Sequence, residues 1–157
     1  MFKYKCFQLI IYPVVVIFSF IRIILKKDSI FSIKQKLFCI YDFQKFKDLE
    51  VAIHFASIGE LNSIRFITDN LLNKKILLSC STLSSYNLAK KIYPQYQIIF
   101  LSFDFSWNVK KFLKNTHIKK FIWIDSEIWP NWLVESKKNN IKNILANGRL
   151  SDKSHNK

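Results

Sequence analysis

From Val51 to Asn147, short apolar runs alternate with helix-length segments, and this alternation restricts the fold more than anything else in the chain. The runs are 51–56, 76–78, 98–101, 120–124 and 141–146. Between the first two, Leu61, Ile64, Ile67 and Leu71 recur at helical spacing. Residues 84–92 and 106–115 read as helices, and another starts near Pro130, a residue suited to a first helical turn. Strands that are apolar throughout are buried on both faces, and strand–helix alternation implies a parallel sheet with helices on each side. Right-handed crossovers then give a Rossmann-like α/β layout. A mixed α+β domain is the alternative.

Ligands of open α/β sheets bind beyond the carboxyl ends of the strands. The polar residues of this chain collect there: Ser57, Gly59 and Glu60 after the first run, Ser79, Ser81 and Thr82 after the second, Asp104 after the third, Asp125 and Glu127 after the fourth, Asn147 and Arg149 after the fifth. Glu60 follows Gly59, one of only 2 glycines, at a helix start. A carboxylate there suits general-base work, and it equally suits an ordinary helix N-terminus. The glycine suggests a turn that needs backbone freedom. Asp125 and Glu127, two apart on extended chain, could hold sugar hydroxyls or a metal, or simply form an acidic helix start. Trp129 and Trp132 beside them suit a sugar cleft or plain packing. Arg149 has the donor fork for a phosphate or carboxylate, or for a surface ion pair. His54, inside an apolar run, reads as a core histidine rather than a ligand.

The segment 7–25 is almost wholly apolar, broken by Gln8, Ser19 and Arg22, with Lys3 and Lys5 before it and Lys26 and Lys27 after. Its length is near the roughly 20 residues of a spanning helix. Residues 1–27 are therefore expected to be a membrane anchor, spanning or lying in the interface, with a buried core helix as the alternative. Residues 28–49 read as a basic linker or helix, and 50–157 as the Rossmann-like domain.

The formal net charge of +14 points to an anionic surface or partner, although a Lys- and Ile-rich coding bias produces the same excess. Only three of the 25 basic residues are Arg, and no nucleic-acid motif is present, so nucleic acid is not expected as a partner. GxGxxG and GxxxxGK[ST] are both missing, which disfavours dinucleotide enzymes and P-loop NTPases. The 3 cysteines form no CxxC pair, and neither they nor the 3 histidines suggest a zinc site.

Three ordered segments resemble the Kdo (3-deoxy-D-manno-octulosonic acid) transferases. His54-Phe-Ala-Ser-Ile-Gly-Glu60 is similar to that family's H-x-x-S-x-G-E, Asp125-Ser-Glu-Ile-Trp-Pro-Asn131 to E-x-E-x-W-P-N, and Asn147-Gly-Arg-Leu-Ser151 to N-A-R-L-S. Ser81 and Thr82 fall where the family has a threonine-rich strand end. Asp125 replaces the family's first Glu, and Gly148 replaces Ala.

The resemblance implies the N-terminal, acceptor-side half of a GT-B glycosyltransferase. It implies transfer of Kdo from CMP-Kdo to lipid IV-A, a lipid A precursor, at the cytoplasmic face of the bacterial inner membrane. It makes Glu60 the general base and places Ser57, Gly59, Ser81, Thr82, Asp125, Glu127, Asn147 and Arg149 against the substrate, with no metal and no cofactor beyond the donor. The chain stops at Lys157, before the half that carries most of the CMP-Kdo site, so alone it is expected not to transfer Kdo. The alternative is a non-catalytic, membrane-associated module from a truncated gene that binds the precursor.

Overall fold

The structure, a computed structural model, describes residues 2–71, 75–125 and 129–147. Its centre is a parallel sheet of β1 (Val51–Phe55), β2 (Ile76–Cys80), β3 (Gln97–Phe100), β4 (Lys120–Ile124) and β5 (Lys142–Ala146) in the order β3-β2-β1-β4-β5. The register pairs Ile53 with Leu78 on one side and with Ile122 on the other. β1 to β3 are joined by α3 (Ile58–Asp69) and α4 (Leu83–Ile92). α5 (Ser106–Lys114) and α6 (Pro130–Lys138) make the crossovers to β4 and β5.

Side chains alternate across the pleat, so each strand feeds two cores. Ala52, Leu77, Phe121 and Trp123 pack beneath α5 and α6 with Val109, Phe112 and Trp132. Ile53, Phe55, Leu78 and Ile122 pack beneath α3 and α4 with Leu61, Ile64 and Ala89. The expected Rossmann-like arrangement, with helices on both faces, is what the chain adopts.

Residues 28–49 are closely packed. α2 (Ile30–Phe38) starts on a capping box in which Ser29 and Ser32 satisfy each other's backbone N–H. The helix covers the open edge of β3. Gln35 Oε1 accepts the Phe100 N–H at 2.8 Å, and the Tyr41 hydroxyl donates to the Phe100 carbonyl at 2.8 Å. The last residue of this edge strand is thereby bonded within the chain, which leaves less of the edge for pairing with another chain.

α1 (Phe2–Ile24) lies along the domain instead of projecting from it. Near its start the Tyr4 hydroxyl donates to Asp104 Oδ2 at 2.8 Å, while Gln8 bonds the Asp104 carbonyl and accepts from Asn131 Nδ2. Midway, Tyr12 meets the Phe105 and Trp107 rings edge-on. At its end Arg22 Nε lies 2.5 Å from Asp28 Oδ2, and Lys36 Nζ lies 2.5 Å from Asp28 Oδ1. Burial alone would raise the Asp28 carboxyl, but the hydrogen bonds from Lys36 and Arg22 outweigh it and hold Asp28 below the usual range. The outward face of α1 remains apolar and exposed, from Leu9 and Ile10 to Ile17, Phe20 and Ile24. Among the described residues, one helix is long and apolar enough to cross a membrane, over Cys6–Ile24 with mean hydropathy 2.2.

Candidate functional site

The strand order reverses at β1. The chain leaves β1 toward β2 on one side and returns to β4 on the other, which opens a crevice at the carboxyl edge between β1 and β4. Three turns meet there. The turn after β1 runs into α3, whose N-cap is Ser57. The turns after β4 and β5 begin with Asp125 and Asn147, both in the left-handed region (φ 61° and 57°) that Asp and Asn tolerate better than most residues. The Asp125 N–H donates to the Ala146 carbonyl at 2.9 Å, which places those two turns side by side.

Ser57, Gly59, Glu60, Asp125 and Asn147 line one groove of about 230 Å³ at this edge. Ser63 completes its wall. Ser63 was not expected; its position one helical turn beyond Glu60 on α3 was the available signal. Glu127 and Arg149 lie outside the described residues.

Glu60 is oriented by its own turn. Its Oε2 accepts the Ala56 N–H at 2.7 Å, its Oε1 accepts the Ser57 hydroxyl at 2.9 Å, and Ser57 Oγ in turn accepts the Glu60 N–H at 3.3 Å. This is a capping box shifted by one residue, and it fixes the carboxylate at the groove's rim. Each oxygen has a second lone pair beyond these bonds. Gly59 does not use the freedom expected of it. α3 begins at Ile58, so Gly59 lies in the first helical turn with no positive φ, and an added Cβ would meet only Ser57 Oγ at 3.8 Å.

Ser81 and Thr82 are not part of this groove. The Thr82 side chain caps α4, accepting the Ser85 N–H at 3.2 Å. Ser81 lines a second cavity of about 250 Å³, with Lys36, His54, Ser102, Phe103 and Trp129 among its other walls. His54 is fully buried, as the sequence suggested. Its Nδ1 lies 3.1 Å from Ser79 Oγ and its Nε2 lies 3.5 Å from Ser81 Oγ, and burial pushes its pKa down to about 3, so the ring is neutral. The cavity therefore offers hydroxyls, a neutral imidazole and the indole of Trp129, with the Lys36 charge already paired to Asp28. Asp104 is committed to structure. Its carboxylate accepts the N–H groups of Asn131 and Trp132 at 3.1 and 3.0 Å, and so caps α6 from another loop. A concavity of about 460 Å³ runs along the β3 edge and contains none of the residues expected at the site.

Among the described residues, no cluster of three or more His, Cys, Asp or Glu is placed to hold a metal. The groove can receive a hydroxylated ring and present it to a carboxylate.

Comparison with known proteins converges on one family. The sequence model of a family described as 3-deoxy-D-manno-octulosonic-acid transferase (kdotransferase) matches residues 31–157. A 3-deoxy-D-manno-octulosonic acid transferase of Rickettsia bellii is 29% identical over 158 residues, covering 96% of this chain and 37% of that protein. Its Rickettsia felis counterpart is 33% identical over 107 residues, covering 65% of this chain and 23% of the relative. A bifunctional glycosyltransferase/methyltransferase of Fusobacterium nucleatum is 31% identical over 121 residues, covering 73% of this chain and 19% of the relative. The chain thus spans no more than 37% of the length of these relatives.

Proposed function

The chain belongs to the Kdo transferase family of glycosyltransferases, and from that premise we propose that it is the acceptor-side half of an enzyme moving Kdo from CMP-Kdo to lipid IV-A. The groove at the β1–β4 crevice seats the acceptor sugar. Glu60 takes the proton of the acceptor hydroxyl as that oxygen bonds to the anomeric carbon of Kdo. The bond from that carbon to the CMP phosphate breaks, and CMP leaves with the electron pair. Asp125 and Asn147 hold neighbouring hydroxyls. Glu127 and Arg149, carried over from the family motifs, are further candidates for contact with the acceptor. CMP-Kdo is bound chiefly by a second half, encoded with this one or separately.

The observation that carries this reading is the convergence of Ser57, Gly59, Glu60, Asp125 and Asn147, from three separate turns, on one groove. A hydroxyl within hydrogen-bond reach of a fixed carboxylate is the geometry that general-base catalysis needs. The outward apolar face of α1 supports a place at a membrane. The contacts from Tyr4 to Arg22 support a helix that lies in the interface rather than crossing it, and the family resemblance supports a place for the domain at the cytoplasmic face of the inner membrane.

A second reading keeps acceptor binding without transfer. It is favoured by the two hydrogen bonds that already occupy the Glu60 oxygens as a helix cap. Both readings require acceptor binding in the groove. Titration of the chain in detergent micelles with the tetraacyl disaccharide bisphosphate tests this. Asn147→Ala and Asp125→Asn are each expected to weaken binding about tenfold, the loss of roughly one hydrogen bond to a bound polar group. Unchanged affinity in both variants would remove the groove from the account.

A further inference from the structure

Beside α1 the domain leaves an apolar groove of about 320 Å³. Phe7, Ile11, Val15 and Phe18 of α1 form one wall, and Phe103 and Trp129 stand among the residues opposite. Along the helix, Tyr4 to Phe18 covers about 21 Å at a rise of ~1.5 Å per residue. That exceeds the ~15 Å depth of one leaflet of a bilayer with a core of ~30 Å. Polar groups along the groove are occupied: the Tyr4 hydroxyl by Asp104 Oδ2, the Gln8 amide by the Asp104 carbonyl and Asn131. What faces an occupant is hydrocarbon and aromatic ring.

Two features say what that occupant is. Phe103 and Trp129 are walls of this groove and also of the cavity that Ser81, Ser102 and His54 line, so the two spaces meet across a shared partition. The groove is also flanked by the exposed apolar face of α1, where Phe7 and Phe18 are each 56% exposed. A molecule with a hydrocarbon tail for the groove and a hydroxylated head to meet Ser81, Ser102 and His54 fits this order of surfaces.

We propose that the groove between α1 and the Phe103–Phe105 segment is a subsite for one acyl chain of the acceptor glycolipid. This rests on the acceptor reading above and extends it. The helix that would lie in the membrane interface also forms a wall of the substrate site, so a chain can slide from bilayer to groove without crossing water. The headgroup is then drawn over Trp129 toward the carboxyl edge of the sheet.

The test uses the whole chain with alkyl glucosides of eight, ten and twelve carbons, each below its micelle-forming concentration. Affinity should rise steeply with chain length, approaching about fourfold per methylene buried. Ile11→Trp, which fills the groove, should flatten that dependence, and Val15→Phe should weaken it in part if Ile11→Trp fails to fold. Ile10→Trp, on the exposed face of α1, should leave it intact. A chain-length response that survives both groove substitutions, or that Ile10→Trp abolishes equally, overturns the proposal. Equal binding of dodecyl phosphocholine and dodecyl glucoside also overturns it, the groove then holding bulk lipid. The deacylated disaccharide bisphosphate separates the two levels. If only the groove assignment is wrong, that headgroup still binds wild type and variants alike; if the acceptor reading is wrong, it binds none of them.

Discussion

Lowering the pH from 7.5 to 5 should strip stability from this domain through one residue, His54. The imidazole is fully enclosed between β1 and the ends of β2 and β4, touching Ser79 Oγ, near Ser81 Oγ, and set edge-on to the Trp123 ring 5.6 Å away. Burial penalises the charged ring and moves its pKa from 6.5 to about 3. In the unfolded chain the ring titrates near 6.5, so between these values the unfolded state holds a proton that the folded state refuses. The sign follows from that difference. The contribution is complete above pH ~6.5 and is lost as the pH falls toward the folded value. At ~1.4 kcal/mol per pH unit, the loss from this group is about 2 kcal/mol at pH 5. Urea unfolding at pH 7.5, 6.5, 5.5 and 5 gives the slope, and His54→Gln, which cannot take up a proton, supplies the reference. The other ionisable groups are common to both proteins and cancel on subtraction. Wild type should lose about 2 kcal/mol more than the variant across this range. Equal slopes would mean that the ring is solvated or charged in the fold, and the reasoning about this cavity would fail.

Gly59→Ala separates fold from site. Its helical backbone and open Cβ direction predict a gain of roughly 0.5–1 kcal/mol in unfolding free energy, while the new methyl narrows the groove and weakens acceptor binding. Destabilisation in denaturant melts would contradict the helical placement, and unaltered acceptor affinity would contradict the groove. Thiol chemistry tests the core. Cys39 and Cys80 are buried, with burial raising both thiols to about 12, whereas Cys6 is partly exposed. A disulfide reagent should therefore modify one thiol in the native protein and three after unfolding; rapid modification of all three in the native state would refute the packing.

The fold was legible because its code is local. The apolar runs at 51–56, 76–78 and 120–124 are where β1, β2 and β4 form, since strands covered on both faces are built mainly from apolar residues. The placement of Ser57, Glu60, Asp125 and Asn147 at one edge followed from topology alone. What the sequence hid depends on contacts distant in the chain. Nothing around Gln35 announces that its side chain bonds the Phe100 N–H at the end of the β3 edge. Gln8 looked like an interruption in an apolar segment, yet it joins Asn131 and Asp104 in a buried polar cluster that lays α1 against the domain. Gly59 misled for the opposite reason. Its rarity suggested a strained turn, but Ser57 starts the helix early enough to make the backbone there ordinary. Ser81 and Thr82 were expected to share the rim from the end of the second strand, but β2 lies on the side of β1 away from β4, and Thr82 is spent on capping α4.

In the proposed reaction the carboxylate of Glu60 removes a proton from the acceptor hydroxyl. Its most direct measure is single-turnover Kdo transfer to lipid IV-A by the enzyme that unites this chain with a CMP-Kdo-binding half, with Glu60→Gln against wild type. Glutamine retains an oxygen for the Ala56 N–H and so preserves most of the cap. The rate should fall by about 10²–10⁴-fold with acceptor affinity little changed. A rate equal to wild type would leave Glu60 as a helix cap and place the base elsewhere.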